Sequence, residues 1–176
     1  MWLNDTVIGL NLCPFAKSVR DANTIKFLVT NATTDLELIT ELEQQLNELV
    51  DKGSIETCLL IHPNVLVDFD DYNQFLDNAD SLLDVMKLKG VIQIASFHPD
   101  YLFAGTTGKS PENFTNRSPF PMLHLLRESS VQAAIESHAD INNVPITNIE
   151  CMNSLGYEAL SSKLRQQQNN TKPQPI

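Results

Sequence analysis

The sequence predicts an α/β protein built on a three-stranded, mostly parallel sheet in a β-α-β-α-β core, with N-terminal and C-terminal helices packed around it. Three observations carry that prediction. Strand-like and helix-like segments alternate between Thr24 and Phe97, a pattern that favours parallel strands joined by right-handed crossovers. The second and third strands both end on His-Pro, at His62-Pro63 and His98-Pro99, and proline stops a strand because it has no N–H to give the ladder. Two segments of helical periodicity stand between the strands, each with capping chemistry at its start.

The elements follow in order. Residues 2 to 12 place Trp2, Leu3, Val7 and Leu10 on one helical face, although Gly9 weakens a helix and a strand over Val7 to Leu12 competes with it. Pro14 then either opens a new helical segment or closes the old one. Thr24 to Thr30 is β-branched and aromatic enough for the first strand. Thr34 to Val50 reads as a helix, opened by the Thr34/Glu37 capping box, with Leu36, Ile39, Leu42, Leu46 and Leu49 as its apolar stripe. Glu56 to Ile61 is the second strand, Asp70 to Leu88 the second long helix, and Val91 to Phe97 the third strand, apolar enough to be covered on both faces. Pro121 to His138 reads as helical, either continuous or broken near Arg127, with His138 on the inward stripe and structural. Asn143 to Asn153 and Tyr157 to Gln166 read as two shorter helices.

Residues 1 to 165 therefore form a single domain, and residues 166 to 176, rich in Gln, Asn and Pro, are expected to be a flexible tail. The chain of 176 residues, 42% hydrophobic, is long enough for one real core and too short for two ordinary domains. Twelve basic residues against 22 acidic give a net charge of −10, which repels phosphate backbones and argues against nucleic acid. No apolar run reaches a membrane span, and no basic segment precedes a hydrophobic block at the N-terminus, so the expected location is cytoplasmic. Three widely spaced cysteines give no disulfide framework.

The segment after His98 is the most informative for function. It runs without periodicity to Pro121 yet carries Tyr101, Phe103, Phe114 and Phe120, and an anchored loop of that length is usually functional. With strands two and three parallel, His62 and His98 stand at one edge of the sheet, where open α/β sheets bind ligands. The plainer alternative is that each ring bonds a nearby carbonyl and only terminates its strand. Asn116, Arg117 and Ser118 lead into the expected helix at Pro121, whose unpaired amides and Arg117 fork suit a carboxylate or phosphate. Arg117 has a structural alternative too, pairing with an acid such as Glu112 to hold the loop. His124 is expected on that helix, within reach of Arg127 and Glu128, either as a proton carrier or as a satisfied histidine between leucines.

Cys13 precedes a helix start, where a thiol can be activated. Cys13-Pro14-Phe15-Ala16 also looks like a glutaredoxin turn with its second cysteine replaced, a likeness that requires a strand before the cysteine. Cys58 and Cys151 read as small buried hydrophobes. His62, His98 and Cys13 are candidate metal ligands, with no compact spacing among them.

Three stretches together carry a wider likeness: Gly9 to Ala16, Ser96 to Pro99 with Phe103 to Thr106, and Thr115 to Pro119 continuing through Leu123 to Glu128. They resemble DUF1415, a family of bacterial proteins of unknown function and about this length. The resemblance implies a single-domain bacterial protein and transfers no activity or catalytic residue.

The functional expectation from the residues is a small enzyme acting on an anionic small molecule at the carboxyl edge of the sheet. His98, Cys13 and His124 would be catalytic, and Arg117, Asn116, Ser118, Tyr101 and His62 would bind the ligand. Two alternatives stay open: a metal-binding or partner-binding module without turnover, and a one-thiol redox protein.

Overall fold

The computed structural model describes residues 2–137 and 141–171. Trp2 leads into a π-helical turn, Leu3–Ile8, followed by a short helix α1, Ala16–Asp21. The competing strand over Val7 to Leu12 does not form. Gly9 closes the wide turn because any side chain there would meet the Asp5 carbonyl oxygen at 2.8 Å. The core then alternates as expected: β1 (Ile25–Val29), α2 (Asp35–Asp51), β2 (Thr57–Ile61), α3 (Phe69–Val85) and β3 (Ile92–Phe97).

The sheet itself differs from expectation. It has four strands in the order β1-β2-β4-β3, where β4 is Met122–Arg127, and two of its three pairings are antiparallel. The segment read as a helix from Pro121 is thus half strand, and only Glu128–Ser137 is helical (α4). Its strand half lies between two neighbours, with Leu123 and Leu125 buried on one face and Met122 on the other, while His124 and Leu126 are half-buried. Apolar residues therefore fall on both faces and blur the alternation, so Leu123 and Leu126 mimic helical spacing. β1, β2 and β3 still run the same way, because β2 and β3 are each antiparallel to β4. The carboxyl ends of β2 and β3 therefore share an edge, separated by the start of β4.

One face of the sheet packs on α2 and α3. Leu38, Leu42, Leu46 and Leu49 of α2 and Tyr72, Phe75, Ala79 and Leu83 of α3 close over Cys58, Leu60, Leu123 and Leu125. Burying each leucine contributes roughly 1.5–3 kcal/mol. Leu36, expected in the α2 stripe, is 74% exposed, and Leu38 takes the inward position. The Thr34 cap and its reciprocal Glu37 are both formed.

The opposite face is covered less completely. Trp2, Leu3 and Ala16 pack on Leu59 and Met122, whereas α4 lies over the rest of the face with none of its residues buried. A third cluster joins Leu12, Phe114, Met152 and Leu160. It ties the loop after β3, through its 3-10 turn Pro111–Thr115, to α5 (Val144–Leu155) and α6 (Tyr157–Thr171). Helix α6 thus continues past Gln166, and the remainder of the expected tail, like His138, lies outside the described residues. Among the described residues no helix is long and apolar enough to cross a membrane.

Candidate functional site

His62 and His98 do stand at one edge, on the α2/α3 side of the sheet, with the Tyr72 ring between them at centroid distances of 5.8 Å and 5.1 Å. Their hydrogen bonds fix their tautomers. His98 Nδ1 accepts from the Asp100 N–H at 3.0 Å, so its proton sits on Nε2 and is donated to the Leu66 carbonyl at 3.2 Å. His62 Nδ1 donates to the Val65 carbonyl at 3.0 Å. Both rings are fully buried, and the cost of burying a charge pushes His62 down to about 4 and lowers His98 as well. The carbonyl-bonded alternative describes both rings. They staple the chain after each strand while remaining neutral.

Tyr72 reinforces this edge. Its hydroxyl donates to the Met122 carbonyl at 2.9 Å and accepts from the Phe97 N–H at 3.0 Å, joining the ends of β3 and β4. Phe69 packs beside Tyr101 and His98.

Arg117 lies on the same edge, but the helix expected to begin at Pro121 is replaced by β4, so no helix amides face it. Its guanidinium donates to the carbonyls of Tyr101 and Gly108, both at 3.1 Å, and lies 4.7 Å from the centre of the Phe114 ring. It is only 7% exposed. Asn116 donates to the Ser96 carbonyl and Ser118 to that of Phe120, so Arg117 and Ser118 bind their own loop and Asn116 ties it to β3. Arg117 borders a polar cleft of about 370 Å³ that it shares with Asp68, Asp70, Asp100 and Tyr157. An anion entering there meets three carboxylates.

The other face of the sheet holds a larger space. A cavity of about 540 Å³ lies between the sheet, the first 19 residues and α4. Phe97, Ala95, Leu59 and Leu126 form its floor, Trp2 and Cys13 one wall, and Val131 and Ala134 of α4 the other. Cavities of this size and mostly apolar lining are the usual form of small-molecule sites.

His124 stands in that floor. It is a strand residue, paired with Leu59 and Ala95, and not the helical residue expected; Arg127 instead donates to the carbonyls of Lys52 and Ile55. The His124 Nε2 lies 2.7 Å from the Thr57 hydroxyl, which gives its own proton to the Leu125 carbonyl at 2.7 Å. The hydroxyl oxygen can then only accept, so Nε2 carries the ring proton. Burial pushes His124 down to about 4, keeping the ring neutral.

The structure therefore sorts the candidate residues into three places. Cys13 and His124 share the apolar cavity, His62, His98 and Tyr101 join an aromatic cluster on the other face, and Arg117 borders the polar cleft. Trp2, Thr57, Ala95 and Ala134 are not among the site candidates the sequence offers. Trp2 reads there only as part of an apolar helical face, small apolar residues and a threonine carry no local signal, and only the placement of β4 gathers them. Among the described residues no three His, Cys, Asp or Glu side chains are grouped to hold a metal ion. The element before Cys13 is helical where a glutaredoxin turn requires a strand. Cys58 is buried in the main core, which pushes its thiol up to about 11.

A family model described as "Protein of unknown function (DUF1415)" matches residues 1–162. The chain belongs to that family. No curated protein and no solved structure matches it. Every residue that lines the cavity of this DUF1415 protein falls inside the matched span.

Proposed function

We propose that this chain is a small-molecule-binding protein and that its site is the apolar cavity beneath α4. The observation that carries the reading is the lining: mostly apolar walls, with one fixed neutral imidazole in the floor and Cys13 in the wall. Apolar surface of this extent is unfavourable in contact with water, and a small, largely apolar molecule is the occupant that its walls favour. The anionic ligand expected from sequence fits less well: His124 is neutral, the cleft at Arg117 is lined by carboxylates, and of the charged residues that line the cavity Arg127 is held by the Lys52 and Ile55 carbonyls and is accompanied by the acid Glu56. A catalytic form of the same reading keeps Cys13 as the nucleophile acting on the bound molecule, because its thiol lines the cavity.

The chain's single tryptophan, Trp2, lines the site and reports on it directly. Titration with uncharged amphiphiles such as hexylphenol is expected to change Trp2 emission saturably. Filling the space by Ala95→Phe, or from the other wall by Ala134→Leu, is expected to abolish the change while the circular dichroism spectrum stays native. The absence of a saturable response across a panel of uncharged amphiphiles would refute the site. For the catalytic form, Cys13→Ala is expected to bind the probe normally and to lose only turnover.

A further inference from the structure

We infer that the molecule bound in this cavity is uncharged and presents a hydrogen-bond donor, a hydroxyl or an N–H, to Nδ1 of His124. The inference rests on the cavity being the functional site and adds the chemical class of its ligand.

It follows from a chain of three groups. The Leu125 carbonyl can only accept, so it takes the Thr57 hydroxyl proton. The Thr57 oxygen is then an acceptor, so it takes the Nε2 proton of His124. A neutral imidazole has one donor and one acceptor nitrogen, so Nδ1 is left as a bare lone pair. Among the described residues no hydrogen bond reaches Nδ1, and neighbouring atoms do not seal it off. It stands in the floor of a space whose nearest walls, Ala95, Leu59 and Phe97, offer it no donor side chain.

An acceptor in such surroundings discriminates sharply. A ligand donor satisfies it, whereas a ligand acceptor placed there sets two lone pairs face to face in a medium that screens little. Thr57 is the specificity-determining residue of this arrangement, because its hydroxyl, engaged by both the Leu125 carbonyl and the His124 ring, decides which imidazole nitrogen carries the proton. It is 4% exposed and held from the β4 side, so the tautomer is preset before any ligand enters. Gln93 also lines the cavity but stands two residues along β3 from Ala95, the partner of His124. Its amide both donates and accepts, and so does not choose between the two ligand types.

The test compares two probes of nearly equal size and apolarity, hexylphenol and its methyl ether hexylanisole, by Trp2 fluorescence. The wild-type protein is expected to bind the phenol about tenfold more tightly, the worth of one satisfied buried acceptor. Thr57→Ser keeps the hydroxyl and is expected to keep the preference. Thr57→Val, which removes the acceptor that fixes the tautomer, and His124→Phe, which removes the lone pair, are each expected to bring the ratio near one. Equal binding of both probes to the wild-type protein, or a preference for the ether, overturns the donor assignment while leaving the cavity as a binding site. Failure of both probes to bind overturns the site and the assignment together.

Discussion

Protonating His62 in the folded protein means placing a charge on a ring that is fully buried and stacked on Tyr72. Its ordinary value is 6.5 and its folded value about 4, so between those limits the unfolded chain holds more protons than the native one. The stability linked to His62 is therefore complete above about pH 6.5 and is lost as the pH falls toward 4, by roughly 3 kcal/mol in all. His124 and His98 are shifted the same way and steepen the loss. The midpoint of urea unfolding should fall markedly between about pH 7 and about pH 5. His62→Asn, whose amide can still donate to the Val65 carbonyl, should flatten that slope, and a midpoint independent of pH would contradict the burial of these rings. His98 supports a second expectation. Replacing it with Ala strands the Asp100 N–H and the Leu66 carbonyl, costing about 2–3 kcal/mol, and limited proteolysis should then cut the chain between Asp100 and Pro121 sooner than in the wild type.

Among the elements, α2 shows what a sequence states openly. Capping chemistry is local, so Thr34 and Glu37 were readable as a pair, and the structure forms both halves of the box. Thr34→Ala is expected to cost about 1 kcal/mol and Thr34→Ser almost nothing, measured by thermal or urea unfolding. The helix's inward face was harder to read, because Leu36 and Leu38 are both leucines and only the position of the sheet selects Leu38. β4 marks the limit more clearly. Met122 to Arg127 shows no clean alternation because apolar residues stand on both its faces, and nothing within six residues says that the chain will turn back and insert between β2 and β3. The site depends on the same insertion. The sequence predicts His124 on a helix within reach of Arg127 and Glu128, whereas its strand puts it in the floor of a cavity on the opposite face from His62 and His98. Cys13 and His124 were both named from sequence, but their shared cavity depends on an antiparallel insertion that no local signal announces.

At the scale of the molecule, the cavity wall that carries Cys13 and the loop that follows His98 depend on the same distant part of the chain. Leu12, one residue before Cys13, packs with Phe114 of the long loop and with Met152 and Leu160 of the last two helices. Asn148 donates to the Leu12 carbonyl at 2.8 Å, and Tyr157 meets Phe114 edge to face at 5.9 Å. This cluster anchors the cavity wall that carries Cys13 and, through Phe114 and Arg117, the loop that follows His98. Met152 is its fully buried member. Met152→Ala is expected to cost about 2–5 kcal/mol, since it leaves a hole among side chains held by three separate segments. If the coupling is real, amide exchange should quicken in two places far apart in sequence, around Leu12 and across Pro111 to Thr115, while α2 and the β2–β4 pairing keep their protection. Probe affinity in the cavity should weaken as well, because the wall bearing Cys13 loses its support. Val85→Ala serves as the control, since Val85 is 80% exposed and its loss should change stability by less than about 0.5 kcal/mol. Faster exchange confined to α5 would mean that the cluster holds only its own helix, and that the loop and the amino-terminal wall are fixed independently.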